Sequence, residues 1–130
     1  MMTINELKEN FAILNGEEKY GYLLDLAKML PTMDSKYKCE DCLIKGCASK
    51  VYIRIDIKDG KLDCHFDSDS DIVKGVLYIF YLCLQGKEVK EAKNINFNEI
   101  IGDLGLLELL TSPRQNGVLN IINSINAVFS

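Results

Sequence analysis

At 130 residues the chain has the length of one domain and enough material to bury a core without covalent staples. Its 48% hydrophobic and 26% charged residues are ordinary for a globular protein, and nothing in the composition marks a fibrous or disordered chain. The net charge of −4, with a pI near 5.0, argues against nucleic-acid binding, which needs a basic patch. The longest apolar run, Ile72 to Leu84, is interrupted by Lys74 and Gly75 and is too short to span a bilayer. The chain opens Met1-Met2-Thr3-Ile4-Asn5-Glu6, with no basic segment leading into an apolar one. No secretory signal, and hence a cytoplasmic location, is expected. In that reducing setting Cys39, Cys42, Cys47, Cys64 and Cys83 are free thiols, metal ligands or a redox-active set rather than a disulfide framework.

Thr3 with Glu6 has the form of a capping box, and Ile4, Leu7, Phe11 and Leu14 fall at helical spacing. This predicts a first short helix ending near Asn15-Gly16. A second helix is expected from about Glu17 to Leu30, with acids in its first turn and Pro31 as its stop. Thr32 to Asp41 is polar and aperiodic and reads as a loop. Val51, Ile53, Ile55 and Ile57 alternate with polar residues, Asp59-Gly60 is a two-residue hairpin signal, and Leu62, Cys64 and Phe66 alternate on the return. With Leu43-Ile44 as a short neighbour, these predict a three-stranded antiparallel sheet with one wet face. On the returning strand His65 is expected on the face opposite Cys64, exposed rather than catalytic.

Asp67-Ser68-Asp69-Ser70-Asp71 precedes a helix from about Ile72 to Leu84 that is apolar nearly all round, the mark of a central buried helix. Gly75 lets a neighbouring element come close, and Gly86 ends the helix. Capping explains one or two residues of the acid and hydroxyl run; five in a row leaves room for another role. A short charged helix follows from Lys87 to Lys93, then one or two packed helices between Phe97 and Leu110. Ser112 as cap and Pro113 in the first helical position start a last helix through Phe129. The architecture expected is a single α+β domain over residues 1–130, a small three-stranded sheet packed on a layer of helices.

One stretch concentrates chemistry: Leu43-Ile44-Lys45-Gly46-Cys47-Ala48-Ser49-Lys50-Val51-Tyr52. Gly46 and Ala48 leave little bulk beside the Cys47 sulfur, so another molecule can approach it. Lys45 and Lys50 are expected to favour thiolate over thiol. Ser49 either donates a hydrogen bond to that sulfur or caps the turn.

Gly-Cys-x-Ser-x-Val-Tyr closely resembles the Gly-Cys-x-Ser-x-Val-Trp signature of the SufE family of sulfur-acceptor proteins, with Tyr52 in the place of Trp. Two further motifs resemble the family in order. Asp-Ser-Asp-x-x-Ile-Val-Lys-Gly begins at Asp67. Thr-Ser-Pro-Arg-Gln-Asn-Gly, Thr111 to Gly117, stands where the family reads Ser/Thr-Pro-Ser/Thr-Arg-x-x-Gly, its proline one place later. Glu-Glu-Lys-Tyr with Leu-Leu-Asp-Leu and Leu-Pro matches how such chains begin, so the resemblance runs from Glu17 through the final helix.

The resemblance implies the fold shared by SufE-like and IscU-like proteins. It also implies a function: sulfane sulfur is taken from a SufS-like cysteine desulfurase onto Cys47, held as a persulfide, and passed to an iron–sulfur scaffold complex of the SufBCD kind. The chain would stimulate the desulfurase rather than act as a stand-alone enzyme. Pyridoxal phosphate belongs to that partner, and no cofactor is expected here. Gly46 gives clearance. Asp69 matches the second aspartate of Asp-Ser-Asp, a tether for the reactive loop or a helix cap. Arg114 matches the motif arginine, a loop tie or a partner contact.

Cys39-x2-Cys42-x4-Cys47 departs from the family pattern, in which the place of Cys42 is often Asn or another non-cysteine residue. Two alternatives follow. Cys42 could resolve a Cys47 persulfide or form a protective disulfide with it. Cys39, Cys42 and Cys47 could instead bind a metal or cluster, completed by His65 or Cys64, against which stands the lack of a second Cys-x-x-Cys pair. Self-association as a homodimer is left open by the sequence.

Overall fold

The computed structural model describes residues 2–130. Helix α1 spans Ile4–Ala12, capped by the Thr3 hydroxyl, which accepts from the Glu6 N–H at 3.1 Å. Helix α2 spans Gly16–Ala27 and opens on a reciprocal capping box: Glu18 N–H donates to the Asn15 side chain at 2.9 Å, and Asn15 N–H to the Glu18 carboxylate at 3.0 Å. It stops three residues before the expected Leu30. From Lys28 to Leu30 the amides bond three residues back, to Asp25, Leu26 and Ala27, because the α conformation is disfavoured just ahead of Pro31.

Strands β1 (Val51–Lys58) and β2 (Lys61–Ser68) pair antiparallel, Val51 opposite Ser68 and Lys58 opposite Lys61. Asp59 and Gly60 both take positive φ, 52° and 78°, as the two-residue turn requires. Among the described residues the expected third strand is absent: the sheet has two strands, and Leu43 contributes a single bridge to Tyr52. The reason is local. Glu40–Cys42 is wound into a 3-10 turn and Gly46 turns the chain again at φ 83°, so only Leu43 and Ile44 are extended enough to pair. On the other edge, β2 is closed without a strand. Leu62 exchanges backbone bonds with Lys87 and Gly86, and the Gln85 side-chain oxygen accepts from Cys64 N–H at 2.7 Å.

Helix α3 (Asp71–Leu84) lies at the centre, buried nearly all round as its composition requires. One side meets α2; another meets the sheet face that carries Leu62, Cys64 and Phe66. Val51 is fully buried, but β1 then runs off the helix layer, leaving Ile53 and Ile55 half-buried and Ile57 62% exposed. Short helices α4 (Val89–Ala92) and α5 (Phe97–Asp103) add Ala92, Phe97 and Ile101 to the core. Leu107–Leu109 forms a 3-10 turn. The last helix, α6 (Ser112–Val128), has Thr111 rather than Ser112 at its N-cap, and buries Val118, Ile121, Ile122 and Ile125.

At Gly75 α3 comes close against Leu23 of α2. A side-chain carbon there would strike the Leu23 carbonyl oxygen and lie 2.7 Å from Leu23 Cγ. Gly75→Ala gains about 1 kcal/mol of helix propensity, but overpacking costs about 1–3 kcal/mol, and a backbone carbonyl has little room to yield. Denaturant unfolding is expected to show a net loss of about 2 kcal/mol; an unchanged midpoint would contradict this packing.

Candidate functional site

Cys47 sits on a loop held between the sheet and α6. Its Sγ–H donates to the Gly117 carbonyl at 3.6 Å, and the residue is half-buried. Gly117 is itself buried, and a side-chain carbon at that position would lie 3.8 Å from the sulfur, so the helix presents bare backbone to the thiol. Arg114 precedes Gly117 by three residues and Ile121 follows it by four, so all three share one face of α6. Together with Val51 and Val73 they line a cavity of about 10 Å³ beside Cys47, roughly the room one water needs.

Two sets of hydrogen bonds fix the loop. On the N-terminal side the Asn120 side-chain amide donates to the Gly46 carbonyl at 2.7 Å. Gly46 has φ 83°, and a side-chain carbon there would lie 2.8 Å from the Asn120 amide nitrogen, so both conformation and space favour glycine. On the C-terminal side Lys50 is held three times. Its N–H donates to the Asp69 carboxylate at 3.0 Å, and its carbonyl accepts from Asp69 N–H at 3.2 Å and from the Ser68 hydroxyl at 2.7 Å.

The Asp67–Asp71 run therefore divides its labour. Ser70 is the N-cap of α3, its hydroxyl accepting from Val73 N–H at 3.4 Å, and Asp71 complements the helix dipole. Asp69 is not a cap; it tethers the loop. Asp67 holds Lys38 at 2.7 Å and Lys74 at 3.5 Å. Burial alone would raise this carboxyl, yet the Lys38 hydrogen bond, a backbone N–H and the two lysine charges keep it below the usual carboxylate range.

Electrostatics at Cys47 run opposite to the sequence expectation. Lys45 and Lys50 are exposed, and burial pushes the Cys47 thiol above its ordinary range, so the seated sulfur is a thiol rather than a thiolate. The lysine charges reach into water, where they are screened. Ser49 makes no side-chain hydrogen bond among the described residues; with Arg114 it separates the small cavity from an open cleft lined also by Tyr20, Leu24 and Asp69. Arg114 has no carboxylate within 4.0 Å among the described residues, leaving its charge available on the cleft rim.

Gly46, Cys47, Ser49, Asp69 and Arg114 thus come together. Cys39 and Cys42 do not join them: Cys42 is buried against Cys39 and Arg54. Among the described residues no group of three or more His, Cys, Asp or Glu side chains is placed to hold a metal ion. Cys64 is buried on the core face, its thiol pushed up to about 12 by burial and then by the Asp63 charge. His65 does lie on the opposite face, yet half-buried, its ring tilted against Tyr37 at 4.9 Å between centroids and bonded to Asp63 at 3.1 Å. Sequence reasoning missed Asn120 and Ser68. Asn120 carried a usable signal, standing one helical turn after Gly117.

Fold and site together define a small α+β domain that carries one thiol on a clasped loop. The chain belongs to the SufE family, the Fe-S metabolism associated domain, whose model matches residues 5–129. It is 32% identical to an uncharacterized SufE-like protein of Rhizobium meliloti strain 1021, over 98% of this chain and 94% of that one. A SufE-like protein of Rhizobium etli is 28% identical, over 96% and 88% of the two chains. The solution structure of a hypothetical protein from Thermus thermophilus superposes with a TM-score of 0.79 over 98% of this chain and 96% of that one, at 20% identity, and so shares the fold.

Because the clasp holds the thiol in its seat, Asn120→Ala is expected to cost about 1 kcal/mol of stability and to speed Cys47 alkylation severalfold at neutral pH. In the unaltered chain the alkylation rate should keep climbing past pH 9, since burial raises the thiol and each step up in pH adds thiolate. A rate plateau below pH 8 would contradict this.

Proposed function

We propose that this chain is a cytoplasmic sulfur acceptor for iron–sulfur metabolism, with Cys47 as the carrier. The observation that carries the reading is the seat of Cys47 in a chain of the SufE family: a thiol on a small-residue loop, half-buried against the Gly117 carbonyl, beside room for one more atom. In the transfer, the Cys47 thiolate attacks the outer sulfur of a cysteine desulfurase persulfide. A new sulfur–sulfur bond forms on Cys47, the old one breaks, and the desulfurase thiolate leaves. Pyridoxal phosphate stays with the desulfurase. The loaded sulfur then passes by the same exchange to an iron–sulfur assembly complex.

A carrier must keep its cargo from oxidation between partners and expose it to each. The cavity beside Sγ supports the first task, since the outer sulfur of a persulfide is one atom beyond Sγ. Exposure follows from lifting the Gly46 side of the loop off Asn120 while Asp69 keeps hold of Lys50. Out of its seat, Cys47 loses the burial that raises its pKa, and Lys45 and Lys50 then stand beside a thiolate inside the partner. Arg114 on the cleft rim meets an acidic group of a SufS-like desulfurase.

Incubation with a cysteine desulfurase, cysteine and pyridoxal phosphate is expected to add ~32 Da, one sulfur atom, to the Cys47 peptide. Cys47→Ser should abolish both the added mass and any stimulation of the desulfurase, while Cys39→Ser and Cys42→Ser keep them. Sulfur appearing on another cysteine, or on none, would overturn the assignment.

A further inference from the structure

Cys39 and Cys42 bracket the 3-10 turn Glu40–Cys42, closed by Cys42 N–H donating to the Cys39 carbonyl at 3.1 Å. Cys39 caps the turn and Cys42 ends it, three positions apart, and Cys39 bears directly on the Cys42 thiol, helping to raise it. A four-residue turn keeps its end Cα atoms within about 7 Å, which overlaps the roughly 4.4–6.8 Å that a disulfide spans. The two sulfurs are unequal. Cys39 is exposed, whereas Cys42 is 7% exposed with the Arg54 guanidinium against its sulfur. Arg54 is fixed in turn by Asp56 at 3.1 Å and by the Tyr37 ring at 4.6 Å. An outer thiol open to attack, an inner thiol beside a cation, and a turn that already holds them together are the parts of a dithiol couple.

We propose that Cys39 and Cys42 form a dithiol–disulfide couple, separate from Cys47, that exchanges with disulfides of low molecular mass such as glutathione disulfide. In the first step the Cys39 thiolate attacks one sulfur of the small disulfide; a mixed disulfide forms and one small thiolate leaves. In the second, the Cys42 thiolate attacks the Cys39 sulfur, the Cys39–Cys42 bond forms, and the second small thiolate leaves. The small disulfide is reduced by two electrons, the pair is oxidised by two, and the two cysteine protons end on the two released thiols. Burial raises the Cys42 thiol and the Cys39 charge raises it further, while Arg54 opposes both; reaction at Cys39 removes the second of these. The couple does not rest on the sulfur-acceptor reading, because it uses neither Cys47 nor a desulfurase.

Trypsin separates the sites, since cleavage after Lys38, Lys45 and Lys50 puts Cys39 and Cys42 alone in residues 39–45 and Cys47 alone in 46–50. After equilibration of the full chain in glutathione buffers, acid quenching, alkylation and digestion, peptide 39–45 is expected to be ~2 Da lighter and refractory to alkylation at the oxidising end, the signature of a closed pair. It should regain both alkylation sites at the reducing end. The Cys47→Ser chain should behave identically, which keeps this result independent of sulfur transfer. Cys42→Ser, folded by circular dichroism, should stop at the mixed disulfide on Cys39. Two alkylatable thiols in 39–45 at every buffer ratio would overturn the proposal. So would a lasting glutathione adduct on Cys39 of the unaltered chain, or a bond from either cysteine to Cys47.

Discussion

Apart from the Cys47 thiol on Gly117, the loop that carries Cys47 is fastened by groups that bond its backbone. Asn120 reaches the Gly46 carbonyl, while Asp69 and Ser68 take both backbone groups of Lys50. Backbone anchoring fixes position without dictating side chains, so Ala48 and Ser49 stay small beside the sulfur at no loss to the anchorage. The anchorage is also asymmetric. Each such bond is worth about 1 kcal/mol net, so one bond on the Gly46 side yields before three on the Lys50 side. Carried by β1, whose first residue Val51 is fully buried, Lys50 is the fixed post and Gly46 the latch.

The latch explains why seat and reactivity oppose each other. Taking a thiol out of water penalises its charged form, and exposed lysines a few residues away cannot offset that across solvent. The structure holds Cys47 in the state least open to oxidation and least nucleophilic at once. A motion off Gly117 would reverse both. The spacing Arg114-x-x-Gly117, with Asn120 a turn later, gains a physical meaning from this: successive turns of α6 supply a cation for the rim, a bare carbonyl for the thiol, and an amide for the latch.

Elements that announce themselves by period were legible in the sequence. The alternation from Val51 to Lys58, the Asp59-Gly60 turn and the apolar α3 each follow from a local rule, and the structure repeats them. The ordered motifs singled out Gly46, Asp69 and Arg114, and the structure places all three around the Cys47 loop. The rest depended on tertiary placement. Leu43-Ile44 has strand composition, but two residues between a 3-10 turn and a positive-φ glycine cannot build a ladder. Lysines flanking a cysteine look activating in one dimension; whether their charge reaches the sulfur depends on which side of the surface each faces. The helical spacing put Asn120 on the face of Gly117, but its bond to Gly46 spans 74 positions, and no periodicity encodes that partner.

The segment from Cys39 to Lys50 shows how short a separation can divide two chemistries. Ile44 is buried and its N–H is held by the Val51 carbonyl at 2.8 Å, while Leu43 bridges to Tyr52. These contacts pin the chain midway, so the turn before them and the loop after them cannot slide toward each other without breaking the pairing to β1. Upstream, Lys38 on Asp67 and Tyr37 against Arg54 and His65 hold the turn on the outer face of the sheet. Downstream, Asn120 draws the loop toward α6. Cysteines five positions apart therefore meet different partners, Arg54 for one and Gly117 for the other. Sequence proximity sets the reach of a thiol, but the fold decides what it reaches.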